Sequence, residues 1–136
     1  MNKKGFTLIE LLTVIILITV ITLVAVPSIR YASKKIQEKN YEAKLKMIKA
    51  SAEDYGEDYK EVILYNSQTT YTDPKDNQSY PSVEVHVSDL LANGYLVKDA
   101  DIDEDDIRDP RDDSSLKNKN ITIYIKNNTA YAVLNF

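Results

Sequence analysis

The N-terminal part of the chain is apolar and the remainder is polar, and each part has its own periodicity. Residues 6–29 form a 24-residue apolar run with one charged side chain, Glu10. A helix of this length rises about 36 Å at about 1.5 Å per residue, which is enough to cross the hydrocarbon core of a bilayer. Pro27 lacks an amide hydrogen and is expected to bend this helix near its end.

Beyond the apolar run, the pattern is typical of an amphipathic helix. Apolar residues recur at intervals of three and four, as they would on one helical face: Tyr41, Leu45, Ile48, Ala52, Tyr55 and Tyr59. Neither proline nor glycine occurs between Pro27 and Gly56. The sequence therefore predicts a helix from about Thr7 to near Tyr59 whose second half lies against a head domain. The alternative is that this apolar stripe, Tyr41 to Tyr59, forms the seam of a coiled coil.

The rest of the chain has the periodicity of a small antiparallel sheet. Residues 60–80 are rich in Thr, Ser, Asn, Asp and Tyr and predict a long connecting loop. Apolar and polar residues alternate over 83–87 and 121–125, as in half-buried strands. Asn127-Asn128 predicts a hairpin turn into a last strand over 129–134, because asparagine tolerates positive φ.

A short helix is predicted within the head, with Ser88 as its cap, residues 89–92 as its body and Asn93-Gly94 as its end. The predicted fold class is α+β, with a long N-terminal helix, transmembrane and then amphipathic, packed on a small antiparallel sheet. The predicted divisions are residues 1–5 as a leader, 6–29 as a transmembrane and assembly helix, 30–59 as its amphipathic continuation and 60–136 as the head, with the loop at 60–80 and the sheet and short helix at 81–136.

Composition argues against several classes of function. The 17 Lys and Arg residues against 21 Asp and Glu give a net charge of −4, whereas a nucleic-acid binder needs a basic surface. Without cysteine there is no disulfide, thiol nucleophile or thiolate metal site. The one histidine, His86, alternates with strand valines and is assigned no role beyond a surface position. No catalytic motif is recognised, so the sequence does not predict an enzyme.

The acidic segment, residues 99–113, is a candidate calcium site because hard cations take oxygen ligands. An EF-hand register that starts at Asp101 puts Asp106 at the position of the turn glycine and Asp112 at that of the bidentate glutamate. The motif is therefore not satisfied. A solvated acidic loop and a calcium-binding loop both remain open.

The flanks of the apolar run do not fit an ordinary secretory signal, because the small residue, Gly5, precedes the run instead of following it. A cut after Gly5 would give Phe6 a new α-amino group, four residues before Glu10. A carboxylate at the bilayer centre costs about 2.5–3.5 kcal/mol on insertion scales. A neighbouring helix shifted by one turn would bring its amine to this carboxylate; the alternative is that Glu10 lies at the membrane interface without a role.

The segment Lys3-Lys4-Gly5-Phe6-Thr7-Leu8-Ile9-Glu10, followed by the apolar run, resembles the class III signal of type IV pilins and pseudopilins. The resemblance implies that a membrane peptidase cuts after Gly5 and N-methylates Phe6. It also implies that Glu10 supports methylation and assembly, and that Pro27 occupies the position of the family's helix-bending proline. Residues 87–96 resemble a segment common in pilins of Gram-positive bacteria, and the absent disulfide suits relatives from Gram-positive anaerobes.

The resemblance implies a structural subunit of a type IV pilus, which would serve adhesion, surface motility or biofilm formation. The implied partners are other pilins, including copies of this chain, the prepilin peptidase, a membrane platform protein and an assembly ATPase; no cofactor is implied. The chain would cross the cytoplasmic membrane once before assembly and lie in an extracellular filament afterwards. A pseudopilin of a type II secretion or competence DNA-uptake system is the alternative, followed by a membrane-anchored calcium- or ligand-binding module.

The distribution of charge conflicts with the topology that the resemblance implies, and it leads to one further prediction. Basic residues flank both ends of the apolar run, so the positive-inside rule does not favour a cytoplasmic N-terminus, whereas the resemblance does. Residues 34–49 carry six lysines and two glutamates, a net +4, and the acidic segment has a net charge of −7. The acidic segment of one subunit is therefore predicted to face the basic helix of a neighbour; two solvated faces are the alternative.

Overall fold

A computed structural model describes residues 5–136, apart from the side chain of Pro27. The chain divides into two compact units, residues 1–37 and 38–136. Helix α1, Leu8–Asp58, contributes residues to both units and agrees with the predicted helix to within one residue at each end. Of the predicted leader, only Gly5 lies within the described residues.

In the first unit, the apolar half of α1 exposes its side chains. Every described large apolar residue from Phe6 to Val26 is exposed, by 40–87%. Thr13, Thr19 and Thr22 donate their hydroxyl hydrogens to carbonyls four residues earlier at 2.7–2.8 Å, which leaves no unpaired hydroxyl there. By length and composition, α1 is able to cross a membrane.

The second unit is a four-stranded antiparallel sheet with two short helices and residues 38–58 of α1. Its strands lie in the order β1-β2-β3-β4. The elements after α1 are α2 Lys60–Asn66, β1 Thr69–Asp73, β2 Gln78–His86, α3 Val87–Ala92, β3 Asn120–Lys126 and β4 Thr129–Leu134. This arrangement confirms the predicted α+β class.

The core lies between α1 and one face of the sheet. Ile48 and Ala52 of α1 are fully buried and join the isoleucines of β3 in the core. Three stripe residues are half-buried, whereas Tyr59 is 39% exposed and follows the end of α1. The stripe thus packs mainly within its own chain, which is against the coiled-coil alternative.

The prediction of a long loop over residues 60–80 is wrong for most of this segment. The segment contains α2, β1 and the first residues of β2. Apolar Ile63 is buried and anchors α2, and the threonines of β1 are β-branched residues that favour strands. Between β1 and β2 the chain makes a turn from Asp73 to Gln78, with Asn77 at φ 59°.

The ends of the shorter elements agree with the sequence except at one cap. Asn127 and Asn128 have φ values of 51° and 64°, as the predicted hairpin turn requires, and Gly94 at φ 78° follows α3. Ser88 was predicted to cap the short helix, but the cap is His86, because α3 begins two residues earlier than predicted. The His86 amide donates to Asp89 Oδ2 at 2.7 Å, and the His86 side chain is exposed as predicted.

Candidate processing and assembly site

The predicted cleavage point lies on an exposed piece of chain before α1. Among the described residues beyond its chain neighbours, none has an atom within 4 Å of the position that a Cβ on Gly5 would take. Phe6, the first residue after the predicted cut, is 82% exposed. Both residues are therefore open to an enzyme that must reach the peptide bond between them.

Glu10 and Thr7 form a capping box at the start of α1. The amide and hydroxyl of Thr7 both donate to Glu10 Oε2 at 2.8 Å. In return, the Glu10 amide donates to Thr7 Oγ1 at 3.3 Å. Thr-x-x-Glu before an apolar run is a sequence signature of this motif, so the spacing of Thr7 and Glu10 was a local signal for the cap.

The capping box gives Glu10 a role within its own chain. The hydrogen bonds found for this carboxylate among the described residues all involve Oε2. Oε1 therefore remains available to a further donor. The carboxylate can cap α1 and accept an ammonium group from a second chain at the same time.

Pro27 lies inside α1, which continues beyond it without interruption. Its side chain is outside the described part of the chain. The predicted bend at this proline therefore stays a prediction.

Lys44 of α1 holds the acidic segment to its own chain. Its Nζ donates to Asp99 Oδ2 and to the Arg108 carbonyl oxygen, both at 2.7 Å. The Arg108 amide donates to the same Asp99 oxygen at 2.8 Å. Two of the six lysines predicted to face a neighbouring subunit are thus paired within the chain, because Lys49 Nζ also lies 4.0 Å from Glu53 Oε1. Pairing between subunits stays a prediction for the exposed lysines of this region.

Arg111 makes a second attachment between the acidic segment and α1. Its guanidinium lies 3.3 Å from the centre of the Tyr41 ring and 3.9 Å from Glu38 Oε2. It also donates to both oxygens of Asp109 at 2.6–3.2 Å, which lowers the pKa of that buried carboxyl below its ordinary value.

Asp106 is the most buried carboxylate of the acidic segment, at 1% exposure. Its Oδ1 accepts from the Ser115 hydroxyl at 2.7 Å and from the Ile107 amide at 2.8 Å. Arg108 Nε lies 3.3 Å from Oδ2, at ion-pair distance but without hydrogen-bond geometry. In residues 5–136, no three His, Asp or Glu side chains are grouped to hold a metal ion.

A polar cluster on the sheet joins the β1–β2 turn to β3. Lys126 Nζ lies 2.6 Å from Asp73 Oδ2 and 2.6 Å from Asp76 Oδ2. The Tyr80 hydroxyl donates to Asp76 at 2.7 Å. The hydrogen bond from Lys126, followed by that from Tyr80, lowers the pKa of Asp76 to about 2. Sequence reasoning missed this cluster because its members lie on three elements.

Comparison with known proteins identifies the N-terminal region. Residues 1–26 match the family model described as the prokaryotic N-terminal methylation motif. This motif is the class III signal peptide of type IV pilins and pseudopilins. The long helix packed on a four-stranded antiparallel sheet matches the layout of the type IV pilin fold.

The chain therefore carries the N-terminal region of a type IV pilin-like or pseudopilin-like precursor. Its apolar helix fits membrane anchoring of a prepilin, and its motif implies processing by a prepilin peptidase. The matched motif is one of structural precursors and not of an enzyme family. Neither the curated proteins nor the solved structures contain a match to this chain.

Proposed function

We propose that this protein is the structural subunit of a type IV pilus filament. The supporting observation is the apolar surface of residues 6–26, which is exposed along its whole length and lies within the methylation motif matched over residues 1–26. Such a surface needs a cover, because apolar area of this extent is unstable in water. Lipid covers it before assembly, and the corresponding helices of other copies cover it in the filament core.

Cleavage after Gly5 creates the contact that orders neighbouring subunits. The N-methylated amine of Phe6 is a cation in a region that otherwise contains only Glu10 as a charged group. The amine of one subunit pairs with Glu10 Oε1 of its neighbour, while Oε2 continues to cap α1. The pairing offsets the cost of two unpaired charges in an apolar bundle.

The proposed partners are the prepilin peptidase, which acts on Gly5 and Phe6, and the membrane platform protein and assembly ATPase that extract the helix from the membrane. The filament then lies outside the cell, where it serves adhesion, surface motility or biofilm formation. The alternative is a pseudopilin, which uses the same N-terminal chemistry in a short rod confined to the cell envelope.

Immunogold labelling tests the proposal and separates these two functions. Antibodies against the head are applied to filaments sheared from intact cells, and a strain without the gene is the control. A pilin labels the length of surface filaments that the control strain lacks. Label that stays in the envelope fraction, with unchanged surface filaments in the control strain, would instead identify a pseudopilin.

A further inference from the structure

The outer edge of β4 is occupied by side chains of α1. Amides of successive residues in an edge strand point alternately toward the partner strand and away from it. The Ala130 amide points outward and donates to Glu57 Oε1 at 2.7 Å. The Ala132 amide points the same way and donates to Glu53 Oε1 at 3.4 Å. Two glutamates one helical turn apart thus take the place of a strand's carbonyls.

A third side chain continues this contact to the hairpin. Lys60 Nζ donates to the carbonyl oxygen of Asn128 at 3.0 Å and to Glu57 Oε2 at 3.0 Å. The Glu53, Glu57 and Lys60 side chains, termed here the edge guard, therefore supply two acceptors and one donor. These are the groups that an added strand would otherwise present to β4.

Gly56 allows the edge guard to reach the strand. A Cβ at this position would lie 2.6 Å from Ile123 Cγ2 and 2.8 Å from Ala130 Cβ. The backbone of α1 therefore comes closer to β3 and β4 than a residue with a Cβ could come without a shift of its neighbours. Glu53 and Glu57 flank this closest approach, which brings their short carboxylates within reach of outward-facing amides.

The opposite edge of the sheet differs. Within the described part of the chain, β1 has one strand neighbour, β2. Its residues Thr69, Thr70 and Thr72 are exposed, and β-branched residues of this kind suit an added strand. An edge without Lys, Pro or a covering element is a template for pairing with another chain.

We propose that the edge guard protects β4 against pairing with the β1 edge of a second copy of this chain. Pairing of β1 to β4 joins two different surfaces, so each added copy would present a new free edge and the sheet would grow without closing. Guarding one of the two edges is enough to stop this growth. The inference holds for any state of the protein in which copies are concentrated and does not require the filament proposed above.

Amide hydrogen exchange of the full chain in detergent micelles tests the edge guard. The variant Glu53→Ala/Glu57→Ala removes both acceptors, and Asp54→Ala/Glu61→Ala removes the same charge from exposed positions. Exchange at Ala130 and Ala132 is expected to accelerate about tenfold in the first variant and to stay unchanged in the second. Glu53→Gln/Glu57→Gln retains an acceptor oxygen at each position and is expected to keep most of the protection.

Association is measured on the same samples by light scattering. Glu53→Ala/Glu57→Ala is expected to form larger oligomers as concentration rises, beyond those of the wild type and of the control variant, which share its apolar helix. Adding Thr70→Lys, a charge on the β1 edge, is expected to restore the wild-type size. Unchanged exchange or unchanged size in the first variant overturns the proposal, as do oligomers that persist with Thr70→Lys.

The wild type alone provides a second measurement in case the double alanine variant does not fold. Leu134 lies on the same outward register of β4 as Ala130 and Ala132, because the Asn135 amide bonds to the β3 side at Asn120. Slower exchange at Ala130 and Ala132 than at Leu134 supports the edge guard. Equal exchange at the three amides contradicts it.

Discussion

Gly56 of α1 lies directly against Ile123 of β3, with 2.6 Å between Ile123 Cγ2 and the point where a Cβ on residue 56 would stand. Contacts of this kind essentially do not occur between real Cβ atoms, so a side chain at this position would force a neighbour to move. The contact sets the distance between helix and sheet, and with it the reach of the glutamates on either side of Gly56.

Gly56→Ala is expected to lower the free energy of unfolding by about 1–2 kcal/mol. Overpacking costs about 1–3 kcal/mol, and the better helix propensity of alanine returns up to about 1 kcal/mol. Urea denaturation followed by circular dichroism measures the change. Ile123→Ala removes the nearest clashing atom, so the double variant is expected to lose less stability than the sum of the two single variants. Strict additivity would contradict a direct clash.

Lys44→Ala is expected to cost about 1.5–3 kcal/mol of stability, because charge-assisted hydrogen bonds to Asp99 and the Arg108 carbonyl are lost in a largely shielded position. Amide exchange of residues 99–113 is expected to accelerate in the same variant, as the acidic segment loses its attachment to α1. Lys46→Ala, at an exposed position on the same helix, is the control. Equal effects of the two substitutions would show that the pairing of Lys44 has no energetic weight.

Stability of the head is expected to fall as the pH drops from about 4 to about 2. The pKa of Asp76 is lowered to about 2 in the folded chain, and those of Asp73 and Asp109 are also lowered. The unfolded chain, with carboxyl pKa values near 4, therefore binds protons first, and stability present above pH 4 is lost below it.

Thermal unfolding recorded from pH 6 to pH 2 tests this dependence. Lys126→Met removes the cation that lowers the pKa values of Asp73 and Asp76, so its loss of stability on acidification is expected to be smaller than that of the wild type. Lys75→Met removes an equal charge at an exposed position in the β1–β2 turn that holds Asp76. This variant is expected to retain the pH dependence of the wild type.

Intact mass spectrometry of protein taken from cells is expected to find a chain that begins at N-methyl-Phe6. The exposed junction of Gly5 and Phe6 and the match of residues 1–26 to the methylation motif are the reasons. A mature chain that retains residues 1–5, or one cut after Ala25, would contradict this prediction.

Glu10→Ala is expected to leave membrane insertion intact or improve it, because an insertion cost disappears, while incorporation into filaments falls. Glu10→Gln is expected to reduce incorporation similarly, since the amide loses the charge that pairs with the Phe6 amine. The glutamine oxygen can still accept from Thr7, so this variant retains the cap of α1. Normal filament yield from a strain that expresses only Glu10→Gln would contradict the proposed pairing of the Phe6 amine with Glu10.

Thr7→Ala separates the cap from the charge. It removes the hydroxyl that donates a hydrogen bond to the Glu10 carboxylate and accepts one from the Glu10 amide. Caps of this kind contribute about 0.5–2 kcal/mol to helix stability. The carboxylate remains, so filament yield is expected to stay closer to that of the wild type than in Glu10→Gln. A larger loss of filaments in Thr7→Ala than in Glu10→Gln would assign the main role of Glu10 to the cap.

Local patterns were sufficient for the elements that depend on near neighbours. The bounds of α1 follow from one uninterrupted helical stretch, and the turn at Asn127 and Asn128 follows from residues that tolerate positive φ. The Thr7–Glu10 cap is also local, because the spacing of these two residues along the chain is the sequence signature of a capping box. In each case, the interacting groups lie within a few positions of one another, so spacing along the chain is also spacing in space.

The contacts that define the head required the tertiary structure. Ala130 and Glu57 are 73 residues apart, and Lys44 and Asp99 are 55 apart, so no local pattern predicts either pair. Residues 60–80 look like a loop by composition, yet β1 forms because β2 supplies its hydrogen-bond partners and neighbouring side chains. Strand formation and edge protection depend on which distant segment lies alongside, and the packing of Gly56 against Ile123 helps decide this.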